Sequence, residues 1–291
     1  MEFNASSTAY PITNGRTDAR TFSAFGEIYA RAQSSSIGPY SLDCTNLMFC
    51  NSNLAAALMA IHRQLGQTGR GLSFLNLRPR VSSILNDSGL FGVATQRPRP
   101  SVVPLTPFNH SEGDRFDLYV RRGLANKGLP DMSPGLENEF FTGIHELFTN
   151  FEIHSQSSLG AWAAGQLFPV NGRVEMTLVD AGVGIPSRIM QRGFAQSPHA
   201  AIDWAMTGSN TTRELDVPGG LGLKVLREFI RLNQGELTIA SHGGFWREAG
   251  GRVDMRPLTH PFPGTAVTVV VNTQDNRSYQ LAREVRPGDI F

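Results

Sequence analysis

The chain has 291 residues, 40% hydrophobic and 18% charged, with a formal net charge of +1. That length favours two domains. The even charge gives no global field for nucleic acid or an anionic membrane, so no direct nucleic-acid binding is expected.

No apolar run approaches the roughly 20 residues of a membrane helix. The polar start, MEFNASSTAYPITNG, lacks a basic-then-apolar leader pattern. The expectation is a cytoplasmic protein without a membrane anchor. Cys44 and Cys50 are the only cysteines, and their apolar surroundings predict buried free thiols.

The first clear element is an apolar stretch with strand character, YSLDCTNLMFC, residues 40–50. A helix follows, with Ser52 as a candidate cap, Leu54, Leu58, Ile61 and Leu65 on one face and Gly66 at its end. LSFLNL (72–77) is a second strand, and VSSILNDSGLF (81–91) is a short helix stopping at Gly89. Strand, helix, strand and helix in so short a span predict a small α/β unit, placed at 1–98. The proline-rich stretch after it, 99–110, is expected to be a linker.

In the second half, residues 114–129 and 135–155 are predicted helices. In the second of these, Glu146, Asn150 and His154 fall four apart and share one helical row. RVEMTLVDAG (173–182) alternates Val174, Met176 and Leu178 and runs from a strand into a glycine turn. Residues 221–235 form a helix with Leu223, Leu226, Phe229 and Ile230 inward. Residues 236–241 and 264–271 are strands, and 276–291 is expected to be a polar tail.

Four pieces of this half carry chemistry. A carboxylate and a carboxamide one turn apart, Glu146 and Asn150, can polarise a water and hold a metal. Asp180 in DAGVG (180–184) can accept a hydrogen bond from an amine while glycine backbone passes close to a flat ring. The glycines of PGGLGLKVL (218–226) offer amides and a helix dipole to phosphate. Thr265, at the turn before the last strand, is positioned to reach a ligand beside Asp180. His145 and Glu146 begin an HExxH-like run, but Thr149 stands where its second histidine belongs, which excludes that zinc motif. Rossmann and P-loop fingerprints are missing.

In this order the four pieces resemble the N, G1, G2 and G3 boxes of the GHKL ATPase superfamily, over residues 110–272. The resemblance implies an α/β sandwich at 111–275, a mixed sheet with helices on one face. It implies ATP and Mg²⁺ as cofactors, with Asn150 holding the metal. It implies Asp180 on the adenine amine, Gly182 and Gly184 beside the ring, and Gly220, Leu221 and Gly222 around the phosphates. Thr265 would support Asp180, His154 would reach the nucleotide, and 187–218 would form a mobile lid.

Glu146 stands where hydrolysing members, and the anti-sigma-factor serine kinases, carry the group that polarises a water or a hydroxyl. The resemblance thus implies an ATPase acting as a nucleotide-dependent switch, slow or stimulated by a partner. The alternatives are an anti-sigma-type serine/threonine kinase acting on a STAS-like partner, and a non-catalytic nucleotide-sensing adaptor in a bacterial signalling or defence assembly. Residues 41–91 resemble a STAS domain. There FCNSNL departs from the usual Asp-Ser-Ser-Gly: Asn51, Asn53 and Leu54 surround a retained Ser52. A protein partner, engaged through the STAS-like half or the lid, is expected, and a second copy of the chain is a candidate.

Overall fold

The computed structural model describes residues 9–92, 98–207 and 221–284. The N-terminal unit contains β1 (Tyr10–Pro11), α1 (Ala19–Gln33), β2 (Gly38–Asp43), α2 (Ala55–Gly66), β3 (Arg70–Leu75) and α3 (Pro79–Ser88). Its strands form a parallel sheet in the order β1-β2-β3. Helix α1 lies before the first element expected from sequence. Asp18 caps it by accepting a hydrogen bond from the Thr21 amide, and Phe22, Phe25, Ile28 and Ala32 are its buried stripe. The expected stop of α3 at Gly89 is observed, with that residue left-handed.

The C-terminal unit contains β4 (Val102–Phe108), α4 (Gly113–Leu124), α5 (Pro134–His154), β5 (Ala161–Phe168) and β6 (Arg173–Asp180). It continues with α6 (Ile185–Gln191), α7 (Pro198–Met206), α8 (Leu221–Leu232), β7 (Glu236–Ala249) and β8 (Arg252–Asn272). Its five-stranded sheet has the order β4-β5-β6-β8-β7. The α/β class is as expected, but every pairing in this sheet is antiparallel rather than mixed.

Two further expectations are corrected. The linker at 99–110 holds β4, an edge strand on β5 with a register shift between Val103 and Thr106. Edge position and a bulge are where a sheet tolerates proline, here Pro104 and Pro107. The sheet is also covered on both faces, not one. On the front, Met176, Leu178, Ile239 and Val269 pack with α4, α5 and α8. On the back, Trp162, Ala164, Val179, Ala266 and Phe262 share a core with Phe22, Phe25, Leu54 and Leu58 of the N-terminal unit.

A polar seam runs through the back face. The Asn51 amide donates to Glu175 Oε2 at 2.8 Å, and Thr17 Oγ1 donates to the same oxygen at 3.0 Å. The Asn53 amide donates to Thr177 Oγ1 at 2.8 Å. The Ser52 amide donates to Gln166 Oε1 at 2.6 Å. Ser52 is fully buried, and its hydroxyl turns to Gly165 O rather than capping α2. Cys44 and Cys50 are buried free thiols, and burial pushes Cys50 up to about 12.

Of the segment expected as a polar tail, the described residues, up to 284, dock on the C-terminal unit. Glu284 accepts from Gly135 N at 3.1 Å and from Ser133 Oγ at the start of α5. Tyr279 O accepts from the Ser133 amide at 2.8 Å.

Candidate functional site

Helix α5 begins with Ser133, whose hydroxyl accepts from the Leu136 amide, and with Pro134 in the first turn. Leu136, Phe140, Ile144, Phe148 and Phe151 are its buried face. It crosses α8 antiparallel, Phe140 meeting Phe229 and, further along, Glu146 meeting Leu223. At the crossing a Cβ on Gly143 would fall 2.5 Å from Gly222 O, so the backbones touch.

That contact brings the row of α5 to the amide end of α8. Glu146 Oε2 accepts from the Leu223 amide at 3.0 Å, a carboxylate at the positive end of the helix dipole. Asn150 is half-buried one turn on, and among the described residues its side chain has no hydrogen-bond partner. One turn further, His154 Nδ1 lies 3.5 Å from Arg188 Nη1 on α6. Gly222 is in the first turn of α8, and Leu221 opens that helix. Gly220 lies outside the described residues, as does 208–218 of the expected lid. The rest of that lid is largely the helices α6 and α7. Helix α7 is anchored to β7 by the Trp246 indole donating to Asp203 Oδ1 at 2.9 Å.

Asp180 ends β6 on the front face. It is 7% exposed, and its Oδ1 accepts from the Gly182 amide at 2.8 Å. Burial pushes its carboxyl up to about 7, against the opposing pull of the Gly182 and Thr265 amides. Thr265 is its register partner on β8, so the sheet joins two residues 85 positions apart. The Thr265 hydroxyl lies 2.9 Å from Ser241 Oγ.

The glycines of the turn are required by the chain itself. A Cβ on Gly182 would lie 2.0 Å from Ser155 O, and one on Gly184 2.3 Å from the His242 ring, with φ +77° at Gly184. Ser241, which also accepts from the Ile185 amide at 2.9 Å, and His242 were missed by sequence reasoning. Their only signal was a polar pair following the apolar strand ELTIA. Burial holds the His242 imidazole below its usual value, while its bond to the Val183 backbone opposes this.

Two cavities lie along α5. One of about 10 Å³, lined by Ile144, Leu147, Met176, Leu178 and Val267 among others, lies between α5 and the sheet. It is apolar and too small for an organic ligand. An open cleft of about 480 Å³ lies at Leu124–Met132 and Glu137. It adjoins the first turn of α5, about 20 Å along the helix from Asn150. Among the described residues no cluster of three or more histidine, cysteine or carboxylate side chains is placed to hold a metal ion. No helix among them is long and apolar enough to cross a membrane.

No curated protein matches the chain. Among solved structures, the chain is similar to the histidine kinase domain of a blue-light activated histidine kinase from Erythrobacter litoralis. The identity is 13% over 87% of this chain and 94% of that one, with a TM-score of 0.29. Residues 13–95 match the family described as Mlab, STAS domain, and the N-terminal unit carries that domain.

Proposed function

We propose that the chain binds Mg–ATP in the manner of GHKL proteins and hydrolyses it slowly as a nucleotide-dependent switch. The observation that carries this reading is the α5–α8 crossing, where Glu146 meets the Leu223 amide and Asn150 follows one turn later. The second support is Asp180, a buried carboxylate in register with Thr265.

The residues fit the cofactors. Asn150 has a carboxamide oxygen free to ligate Mg²⁺, which takes few protein ligands. Asp180 accepts from two backbone amides, and a carboxylate has about four acceptor sites. It therefore keeps capacity for an amine donor such as that of adenine, which guanine lacks at that position. When bound, Mg²⁺ neutralises charge on the phosphate oxygens. Glu146 orients a water and takes its proton. The amides at the start of α8, Leu221 and Gly222, would hold the phosphates, a role the resemblance also gives to Gly220, and His154 lies along the row of Glu146 and Asn150. Ser52 of the same chain cannot supply a hydroxyl in place of the water, because it is sealed on the opposite face of the sheet. A separate protein partner or a second copy of the chain would read the switch.

The test incubates the protein with γ-labelled ATP and Mg²⁺. Release of free phosphate that Glu146→Ala abolishes, with ATP binding that Asn150→Ala abolishes, is the expected result. Label on added protein instead indicates kinase activity. Binding without either points to an adaptor, and no nucleotide binding by the wild type overturns the proposal.

A further inference from the structure

The Asp180–Gly184 turn is held almost wholly by its own unit. Asp180 takes the Gly182 amide, Ser155 O takes the Val183 amide at 2.8 Å, and Ser241 takes the Ile185 amide. The His242 ring holds the Val183 carbonyl. The carbonyl of Ala181 differs. It accepts at 3.0 Å from Gln64 Nε2, on the last turn of α2 in the N-terminal unit. Ala181 itself packs against the back-face core, one residue after Asp180 points to the front.

The orientation of this amide is chemically fixed. A carbonyl only accepts, so the nitrogen of Gln64 must face Ala181. That leaves Gln64 Oε1 buried without a partner among the described residues, which costs free energy that a purely apolar side chain would not. Stability alone does not favour a glutamine here.

We propose that Gln64 is a positioning residue through which the STAS unit sets the Asp180 turn. Any shift of α2 on the sheet moves the Ala181 peptide, and the Gly182 amide that orients the Asp180 carboxylate moves with it. The N-terminal unit thereby acts on the adenine-facing end of the candidate site from the far side of the sheet. The nucleotide part of this inference rests on the function proposed above.

The experiment compares the full chain with Gln64→Ala and with Gln64→Met, which keeps the length and removes the donor. Without nucleotide, amide exchange at Gly182 and Val183 is expected to rise about fivefold in both variants, the scale of one lost hydrogen bond. Exchange along α5 is expected to stay as it was. With Mg²⁺, ATP affinity is expected to fall by a similar factor while GTP affinity does not change, so that preference for ATP narrows. Unchanged exchange at 182–183 overturns the proposal. So does equal weakening of ATP and GTP, which is what loss of packing alone would cause. If the wild type binds neither nucleotide, the function proposed above fails, and the exchange measurement still decides the role of Gln64.

Discussion

The two faces of the five-stranded sheet are both buried, yet they treat polar groups differently. On the back, Thr17, Asn51, Ser52 and Asn53 of the N-terminal unit bond to Gln166, Glu175 and Thr177 across the seam between the two units. On the front, Glu146 makes one bond to a helix amide, and Asn150 makes none among the described residues. The buried Asp180 is held by backbone amides alone. Groups that bond each other fix an interface, whereas groups left with spare capacity are available to a ligand.

The largest expected effect breaks the back face. Ser52→Asp places an unpaired charge in a sealed seam beside Glu175, whose own carboxyl burial already pushes upward. It is expected to cost about 5 kcal/mol or abolish folding, while Ser158→Asp, at an exposed position, stays within about 0.5 kcal/mol. Equal denaturation midpoints for the two would show that the seam opens readily.

The front core comes next. Phe148 is fully buried, its ring stacked 4.7 Å from Phe116. Phe148→Ala is expected to lose about 3–5 kcal/mol in urea unfolding. A loss below about 1 kcal/mol would mean that α5 is not seated as described.

Asp180→Asn tests the site itself and has the opposite sign. The folded carboxyl sits at about 7 against an ordinary 3.8. Between those values the folded state holds a proton that the unfolded state has released. Stability from this group is therefore complete below about pH 4, falls as the pH rises to about 7, and is flat above. Asn removes that slope and is expected to raise stability at pH 8 by up to roughly 4 kcal/mol, while ATP affinity is lost. Unfolding curves at pH 4.5 and pH 8 that shift equally would contradict the burial argument.

The smallest effect on stability belongs to Glu146→Gln. It retains an acceptor for Leu223 and is expected to cost under about 1 kcal/mol, while phosphate release falls about 10²–10⁴-fold. Large destabilisation with unchanged turnover would make Glu146 a helix cap and nothing more.

The sequence was most legible where periodicity was strong. Helices α5 and α8 and the alternation of β6 follow directly from spacing, whereas Thr265 was placed beside Asp180 only through the family resemblance. Strand β5 was missed because AWAAGQLF is rich in alanine and glycine, which carry little strand preference. Strand β4 was hidden by prolines that an edge tolerates. Alternation in β6 identified its apolar face correctly. It gave no sign that the other face, with Glu175 and Thr177, is buried by a second unit, because a polar seam and a wet surface look alike in one dimension. Of the partners of the turn, Ser241 and His242 show only as a polar pair after an apolar strand and Gln64 shows no local signal, since each acts through a contact far along the chain.

The docking of Glu284 at the start of α5 has a consequence for the order in which the protein is made. The carboxylate that meets the Gly135 amide comes from 149 residues later. At about 5–20 residues per second, a ribosome needs roughly 7–30 seconds to deliver it after Gly135. For that interval the first turn of the helix bearing Glu146 and Asn150 lacks its carboxylate. The helix that carries the candidate site therefore receives this contact long after its own residues have been made.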